Sequence, residues 1–315
     1  MKLPYKEIDL STVRTYPLAS RKSKARVEDF ARVYQAGSGV RGLLDSLPAA
    51  LAASDFKAVV AALVEARKHE RAIVWGLGAH VIKTGLSPIF VDLMERGFVS
   101  ALAMNGAGII HDFEIALGGA TSEDVDTALG AGQFGMAEET ATELNRAISD
   151  GVGRGLGIGQ AVGGYLMARQ PPHGQHSLAL AAARLEIPLT VHVAIGTDII
   201  HMHPLASGAA LGEGSLRDFR YLASSVARLS GGAYLNCGSA VILPEVFLKA
   251  VALARHEGHD LAGLTTVNID FIRHYRPITN VVTRPTAGIG RGFSFVSHHE
   301  LFLPLLAAAL IEAGA

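Results

Sequence analysis

The residues able to do chemistry gather at a few points of the chain. Segments 75–85, WGLGAHVIKTG, and 104–114, MNGAGIIHDFE, both place small residues where an apolar run gives way to polar ones. Small residues at such a turn let a ligand approach the backbone, and the free N–H groups of a following helix attract an anion such as a pyrophosphate. His80, Lys83, Thr84, Asn105, His111 and Asp112 add hydrogen-bonding groups to the same turns. Neither segment has the G-x-G-x-x-G spacing of the ordinary dinucleotide fingerprint.

A second concentration lies in 192–215, HVAIGTDIIHMHPLASGAALGEGS. Asp198, His201 and His203 follow an apolar run and precede a loop of small residues. Imidazole titrates near neutrality, so His111, His201 and His203 are suited to moving protons, with Asp112 or Asp198 orienting one of them or binding an ammonium. His201 and His203 also form a His-x-His pair, which with His298 or His299 of SHHE would suit a metal-dependent hydrolase or lyase. Hydrogen-bonded loop histidines are the commoner meaning of that pattern, and no metal is expected. His192 falls within the apolar run as a core histidine. Cys237 reads as a small hydrophobe, because nothing near it in sequence would lower its pKa.

These residues need a scaffold, and the apolar pattern supplies one. Helical spacing over 41–70 is followed by continuous apolar runs at 72–78, 98–108, 187–196, 233–241 and 264–270, each read as a strand buried on both faces. Between them, 87–97, 109–119, 177–186, 216–232, 245–258 and 300–314 read as helices, the first of them after 41–70 closing on Gly97. Asp55 is the expected N-cap of the helix near 60. Alternating strands and helices predict an α/β fold, a parallel Rossmann-like sheet with helices on both faces. Ligands of such sheets bind at the carboxyl ends of the strands, where the glycine turns lie. The run GVGRGLGIGQAVGG (151–164) follows no buried strand, and Gly155, Gly159 and Gly163 fall four apart, which suits close helix packing better than phosphate binding.

Composition narrows the function classes. The 315 residues carry 28 Lys+Arg against 29 Asp+Glu, a formal charge of −1, with 49% hydrophobic residues and one cysteine. That excludes a disordered chain, a Cys-rich zinc module and a binder relying on a net basic charge. The longest apolar runs are too short to span a bilayer, and the first residues lack the apolar core of a secretory signal, so neither a membrane nor a nucleic acid is an expected partner and a cytoplasmic location is expected. Residues 1–40, polar and locally basic at SRKSKAR, read as an arm, solvated or packed on a neighbouring subunit; 41–315 read as a single domain.

The order of IVWGLGAHVIKTGLSPIFVDLMERGFVSALAMNGAGIIHDFE, IPLTVHVAIGTD, GGAYLNCGSAVILPEVFLKA and HHELFLPLLAAAL resembles the deoxyhypusine synthase family. The first half is also similar to the NAD domain of archaeal ornithine cyclodeaminases. The resemblance implies a deoxyhypusine synthase-like fold, NAD as cofactor and a homotetramer with active sites between subunits. It implies cofactor contacts at Ala79, His80 and Thr84 in the first turn, and at Asn105, Gly106, Ala107 and Gly108 in the second. Gly196 and Asp198 fall in its acidic loop, Gly238 in its glycine turn, and His298 in place of an acidic contact.

One departure bears on the reaction. Where the family has its imine-forming lysine this chain has Leu243, followed by Pro244 and Glu245; the nearest lysine, Lys249, falls on the next helix. Trp75, the one tryptophan, lies elsewhere. The expectation is therefore an NAD-dependent enzyme acting at the C–N or C–O carbon of a small polar metabolite, not a true deoxyhypusine synthase. His111, Asp112, His201 and His203 are its candidate catalytic residues. The alternatives are the metal-dependent hydrolase or lyase above and a non-catalytic nucleotide-binding homologue.

Overall fold

A computed structural model describes residues 4–314. Six strands, β1 Ile73–Leu77, β2 Ala101–Asn105, β3 Leu189–His192, β4 Ala233–Cys237, β5 Thr265–Asp270 and β6 Arg291–Val296, form one sheet. Their order is β3-β2-β1-β4-β5-β6, and every neighbouring pair is parallel. This is the doubly wound Rossmann order, whose ligand crevice opens at the carboxyl ends of the central strands, where the order reverses. The helices are α1 Gly39–Ser46, α2 Leu51–Lys68, α3 Ala79–Lys83, α4 Ser87–Glu95, α5 Gly106–Gly118, α6 Val125–Gly130, α7 Glu138–Gly153, α8 Ile158–Arg169, α9 Leu178–Arg184, α10 Gly208–Val226, α11 Ile242–His256, α12 Tyr275–Pro277 and α13 His299–Gly314.

Alternation along the strands builds two cores. Trp75, Leu102, Leu235 and Val267 pack with side chains of α2, α4, α5 and α13 on one face. Val74, Ala101, Ala103 and Tyr234 pack with α10 and α11 on the other. Trp75 meets Phe90 edge-on at 5.1 Å and donates its indole N–H to the Phe98 carbonyl at 2.9 Å, while Tyr234 stacks on Phe247 at 3.6 Å. Each such side chain contributes about 1.5–3 kcal/mol on burial, so the five continuous runs are held as strands from both sides.

Several boundaries differ from the sequence expectation. The second strand ends at Asn105, whose side chain accepts the Gly108 N–H at 3.0 Å and starts α5 three residues early. Helix α2 begins after Ala50, leaving Asp55 inside it. Helix α10 starts at Gly208, within the stretch read as a loop. The sixth strand was not expected. It lies at the sheet edge and only Phe293 and Phe295 of it are buried, so it lacks the continuous apolar run that marks the others.

The glycines at 151–164 do serve packing. A Cβ on Gly159 would lie 2.0 Å from the Leu189 carbonyl oxygen, and one on Gly163 2.8 Å from that of Ala179. At the opposite edge from β6, helix α10 lies along β3 and takes up its outward N–H groups. Asp218 accepts from Val191 N at 2.8 Å and from Gly159 N at 3.0 Å. Ser215 accepts from Val193 N at 3.2 Å and donates to the Val191 carbonyl. Residues 4–38 carry two short 3-10 turns and expose Tyr5, Ile8, Leu10, Tyr16 and Phe30. No helix among the described residues is long and apolar enough to cross a membrane.

Candidate functional site

The carboxyl ends of the strands bring most of the expected residues to one rim. At its centre the turns after β1 and β4 touch through bare backbone. Gly78 N–H donates to the Cys237 carbonyl at 2.8 Å, and a Cβ on Gly78 would sit 2.2 Å from the Gly238 carbonyl oxygen. Only glycine permits that approach. Gly238 has φ +71°, and a Cβ there would strike the His299 ring at 2.9 Å. Ala79 and His80 open α3 directly after this contact, and Thr84 ends it, its hydroxyl donating to the His80 carbonyl at 3.0 Å.

On the β4–β6 side a group of rings gathers. His80 is 5.9 Å from His299 and 6.4 Å from Phe271, between ring centroids, and Phe271 stacks on His298 at 6.4 Å. His299, fully buried, places Nε2 3.1 Å from the Ile269 carbonyl. A carbonyl only accepts, so Nε2 carries the proton and Nδ1 is an acceptor; it is buried without a partner. The expected contact, His298, is instead solvent-facing, with 67% of its side chain exposed beside Glu300. Helix α13 starts at His299, one residue earlier than the sequence suggests and one residue beyond His298, so the inward position belongs to His299. The SHHE run marked the pair; which of the two turned inward depended on where the helix began. Asp270 is likewise buried here, at the end of β5, its carboxylate accepting the Phe271 N–H at 2.8 Å; the run LTTVNID marks it only as the last residue of a strand.

On the β2–β3 side, Gly106 and Ala107 form the first turn of α5, and Asp198 lies against it. A Cβ on Gly106 would be 2.0 Å from Asp198 Oδ2. His201 Nδ1 accepts the N–H groups of Gly196 at 3.1 Å and Asp198 at 3.4 Å, so its proton is on Nε2. That N–H and Asp198 Oδ2 are 3.9 Å apart, and both are buried without a hydrogen-bond partner. One orphaned donor and one orphaned acceptor at this separation match a hydroxyl, which both donates and accepts. Burial raises the Asp198 carboxyl above its ordinary range, with His201 partly opposing.

The other candidates stand apart from these gaps. Asp112 is fully buried and turned away from the turns: it accepts from Ser177 Oγ at 2.6 Å, Leu178 N at 2.6 Å and Ala179 N at 3.1 Å. It caps α9 and has no oxygen to offer a ligand, which corrects its reading as a catalytic group. Its partners lie more than 60 residues away, so local spacing gave no sign of them. His111 pairs with Thr121 Oγ1 at 2.7 Å, and Thr121 in turn donates to Glu114 at 2.5 Å; burial lowers the His111 pKa. His203 Nδ1 accepts the Leu205 N–H at 3.2 Å, and its Nε2 is 3.5 Å from Thr142 Oγ1. Among the described residues no three His, Cys, Asp or Glu side chains come together to hold a metal ion. Cys237 is buried, and burial pushes its thiol pKa up.

No protein-family model matches the chain, and no curated protein matches its sequence. Solved structures do match its fold. The arginine dihydrolase ArgZ of the ornithine-ammonia cycle in cyanobacteria superposes with a TM-score of 0.52 at 17% identity, covering 84% of this chain and 33% of ArgZ. AgrE in its ternary complex with ornithine and NAD+ gives 0.54 at 18% identity, over 82% of this chain and 33% of AgrE. A putative deoxyhypusine synthase from Entamoeba histolytica gives 0.53 at 13% identity, over 90% of this chain and 97% of that one. The chain therefore has the deoxyhypusine synthase-like, Rossmann-like fold of these proteins and spans a third of the length of ArgZ and AgrE.

Proposed function

We propose that this chain is an NAD-dependent enzyme that oxidises the amine- or hydroxyl-bearing carbon of a small metabolite. The observation that carries this is the set of three buried, unpartnered polar atoms, Asp198 Oδ2, His201 Nε2 and His299 Nδ1, spread along a rim stripped by Gly78, Gly106 and Gly238. An unpaired buried polar group costs about 1–3 kcal/mol, and a dinucleotide along the rim offers a partner to each. The solved relatives point the same way, since AgrE is complexed with NAD+.

Asp198 and the His201 N–H would grip a ribose hydroxyl, and the α5 N-terminus at Gly106, Ala107 and Gly108 would face a phosphate. His299 Nδ1 would accept a carboxamide N–H at the other end. NAD+, when bound, supplies the hydride acceptor. His80, beside His299 and Phe271, is then the imidazole nearest the reacting end and takes the proton of the substrate's amine or hydroxyl. Gly196 shapes the loop that turns His201 inward, and Asn105 holds the first turn of α5. His111 and His203 are left as further proton-moving candidates. Leu243, which the resemblance sets at the deoxyhypusine synthase family's lysine, is buried, which supports a reaction without a covalent imine to the enzyme. The exposed apolar side chains of residues 5–34 suit an arm packed on a second subunit of a homotetramer in the cytoplasm, with 41–315 as one domain.

Isothermal calorimetry of wild type and Asp198→Asn with NAD+ tests the reading. We expect binding by the wild type and at least a tenfold loss in the variant, about 1.4 kcal/mol. Absence of NAD+ binding by the wild type would overturn it.

A further inference from the structure

Two segments of the chain expose apolar side chains amid charges of opposite sign. The first is the arm. From Leu10 to Val27 it holds Arg14, Arg21, Lys22, Lys24 and Arg26 and no Asp or Glu, and Leu10, Val13, Tyr16, Leu18 and Val27 are 62–72% exposed. The second runs from α5 through α6 into α7. From Gly97 to Asn145 there are eight Asp or Glu and no Lys or Arg. Helix α6 buries none of its residues, and Val125, Leu129 and Met136 face solvent. Beside it lies a groove of about 540 Å³, lined by Phe113 and Leu117 together with Glu123 and Glu139.

Both sets of charge are left over within the chain. Among the described residues none of the five arm cations is in an ion pair, and neither are Glu123, Asp124, Asp126, Glu138 and Glu139. The arm is not seated on its own body either: every residue from 4 to 38 except Asp29 is exposed. Exposed charges attract weakly in water, but between two chains apolar burial lends strength and opposite charge selects the partner. Each copy carries one arm and one acidic face, so a two-fold pair makes the contact twice.

We propose that the arm of one copy docks on the α5–α7 face of a second copy, its basic run against the free acids of 123–139 and its apolar side chains on α6 and the groove. The inference rests on the reading of the arm as a subunit contact and gives that contact its receiving surface; it does not depend on NAD.

Charge reversal in the full chain tests it. The arm variant carries Arg21→Glu, Lys22→Glu and Lys24→Glu. The face variant carries Asp126→Lys, Glu138→Lys and Glu139→Lys, all at exposed positions. Sedimentation velocity across a dilution series reads association. We expect the wild type to self-associate and each variant alone to have its Kd raised at least tenfold. An equimolar mixture of the two variants is expected to recover the wild-type Kd within threefold, because each arm then meets a face of opposite sign on the other copy. A monomeric wild type would overturn both the proposal and the subunit reading of the arm. Self-association that neither variant weakens would overturn the receiving face alone. Weakening by both variants without recovery in the mixture would overturn the pairing of arm with face between copies.

Discussion

Replacing Asp112 by alanine separates a structural acid from a catalytic one. Its carboxylate accepts two backbone N–H groups, Leu178 at 2.6 Å and Ala179 at 3.1 Å, and the Ser177 hydroxyl at 2.6 Å. All four residues are buried, so water cannot replace the lost acceptor. Two orphaned buried N–H groups at about 1–3 kcal/mol each, with a small void beside them, make a loss of roughly 3–5 kcal/mol. At about 2–4 °C per kcal/mol for a chain of this size, calorimetry should show a Tm lowered by roughly 6–20 °C. Ser177→Ala should cost about 1–2 kcal/mol, and the double variant less than the sum, because the two side chains share one network. Asp112→Asn restores one acceptor but turns an amide N–H toward a backbone N–H, and should fall between wild type and alanine. A Tm within 2 °C of wild type for Asp112→Ala would refute the capping argument. So would normal stability with abolished NAD-dependent turnover.

Further expectations follow from the same geometry. Gly78→Ala, whose Cβ would meet the Gly238 carbonyl at 2.2 Å, should weaken NAD+ binding more than tenfold and lower the Tm, measured by calorimetry. Asp218 has its pKa raised to about 7 by burial. A carboxyl with a raised folded-state pKa adds stability that is full below its unfolded value and is lost as pH climbs through the folded one. Chemical denaturation should therefore show stability falling between about pH 4 and pH 7, by up to roughly 4 kcal/mol, with a flatter profile in Asp218→Asn. His299→Phe keeps the ring beneath Gly238 but removes the Nδ1 acceptor; it should fold and lose NAD+ affinity, whereas unchanged affinity would remove His299 from the cofactor's contacts. His80→Gln should lower turnover at least about a hundredfold while NAD+ affinity stays within twofold, read from steady-state kinetics and calorimetry.

The α/β architecture was legible because parallel strands covered on both faces leave continuous apolar runs, and five of six did. The sixth, RGFSFV, is half solvent-facing at an edge, and alternation over six residues was too faint to separate from a loop. The rim was legible through Gly78, Gly106 and Gly238, where close backbone contact demands glycine. What local sequence did not convey was direction and distant pairing. His298 and His299 differ only in helical phase, and Asp112 looked free because its partners at 177–179 are remote in the chain. His201 and Asp198 were visible as polar residues near a strand end, but their complementary unpaired atoms emerge only when the loop folds against Gly106.

The closure of β3 by Asp218 and Ser215 leaves the sheet with unequal ends. One margin has its outward amides consumed by a helix of the same chain and cannot template another strand. Among the described residues, no side chain accepts a backbone N–H of β6. Addition of a further strand at the β3 margin would thus have to displace Asp218 and Ser215 from the amides of Val191 and Val193.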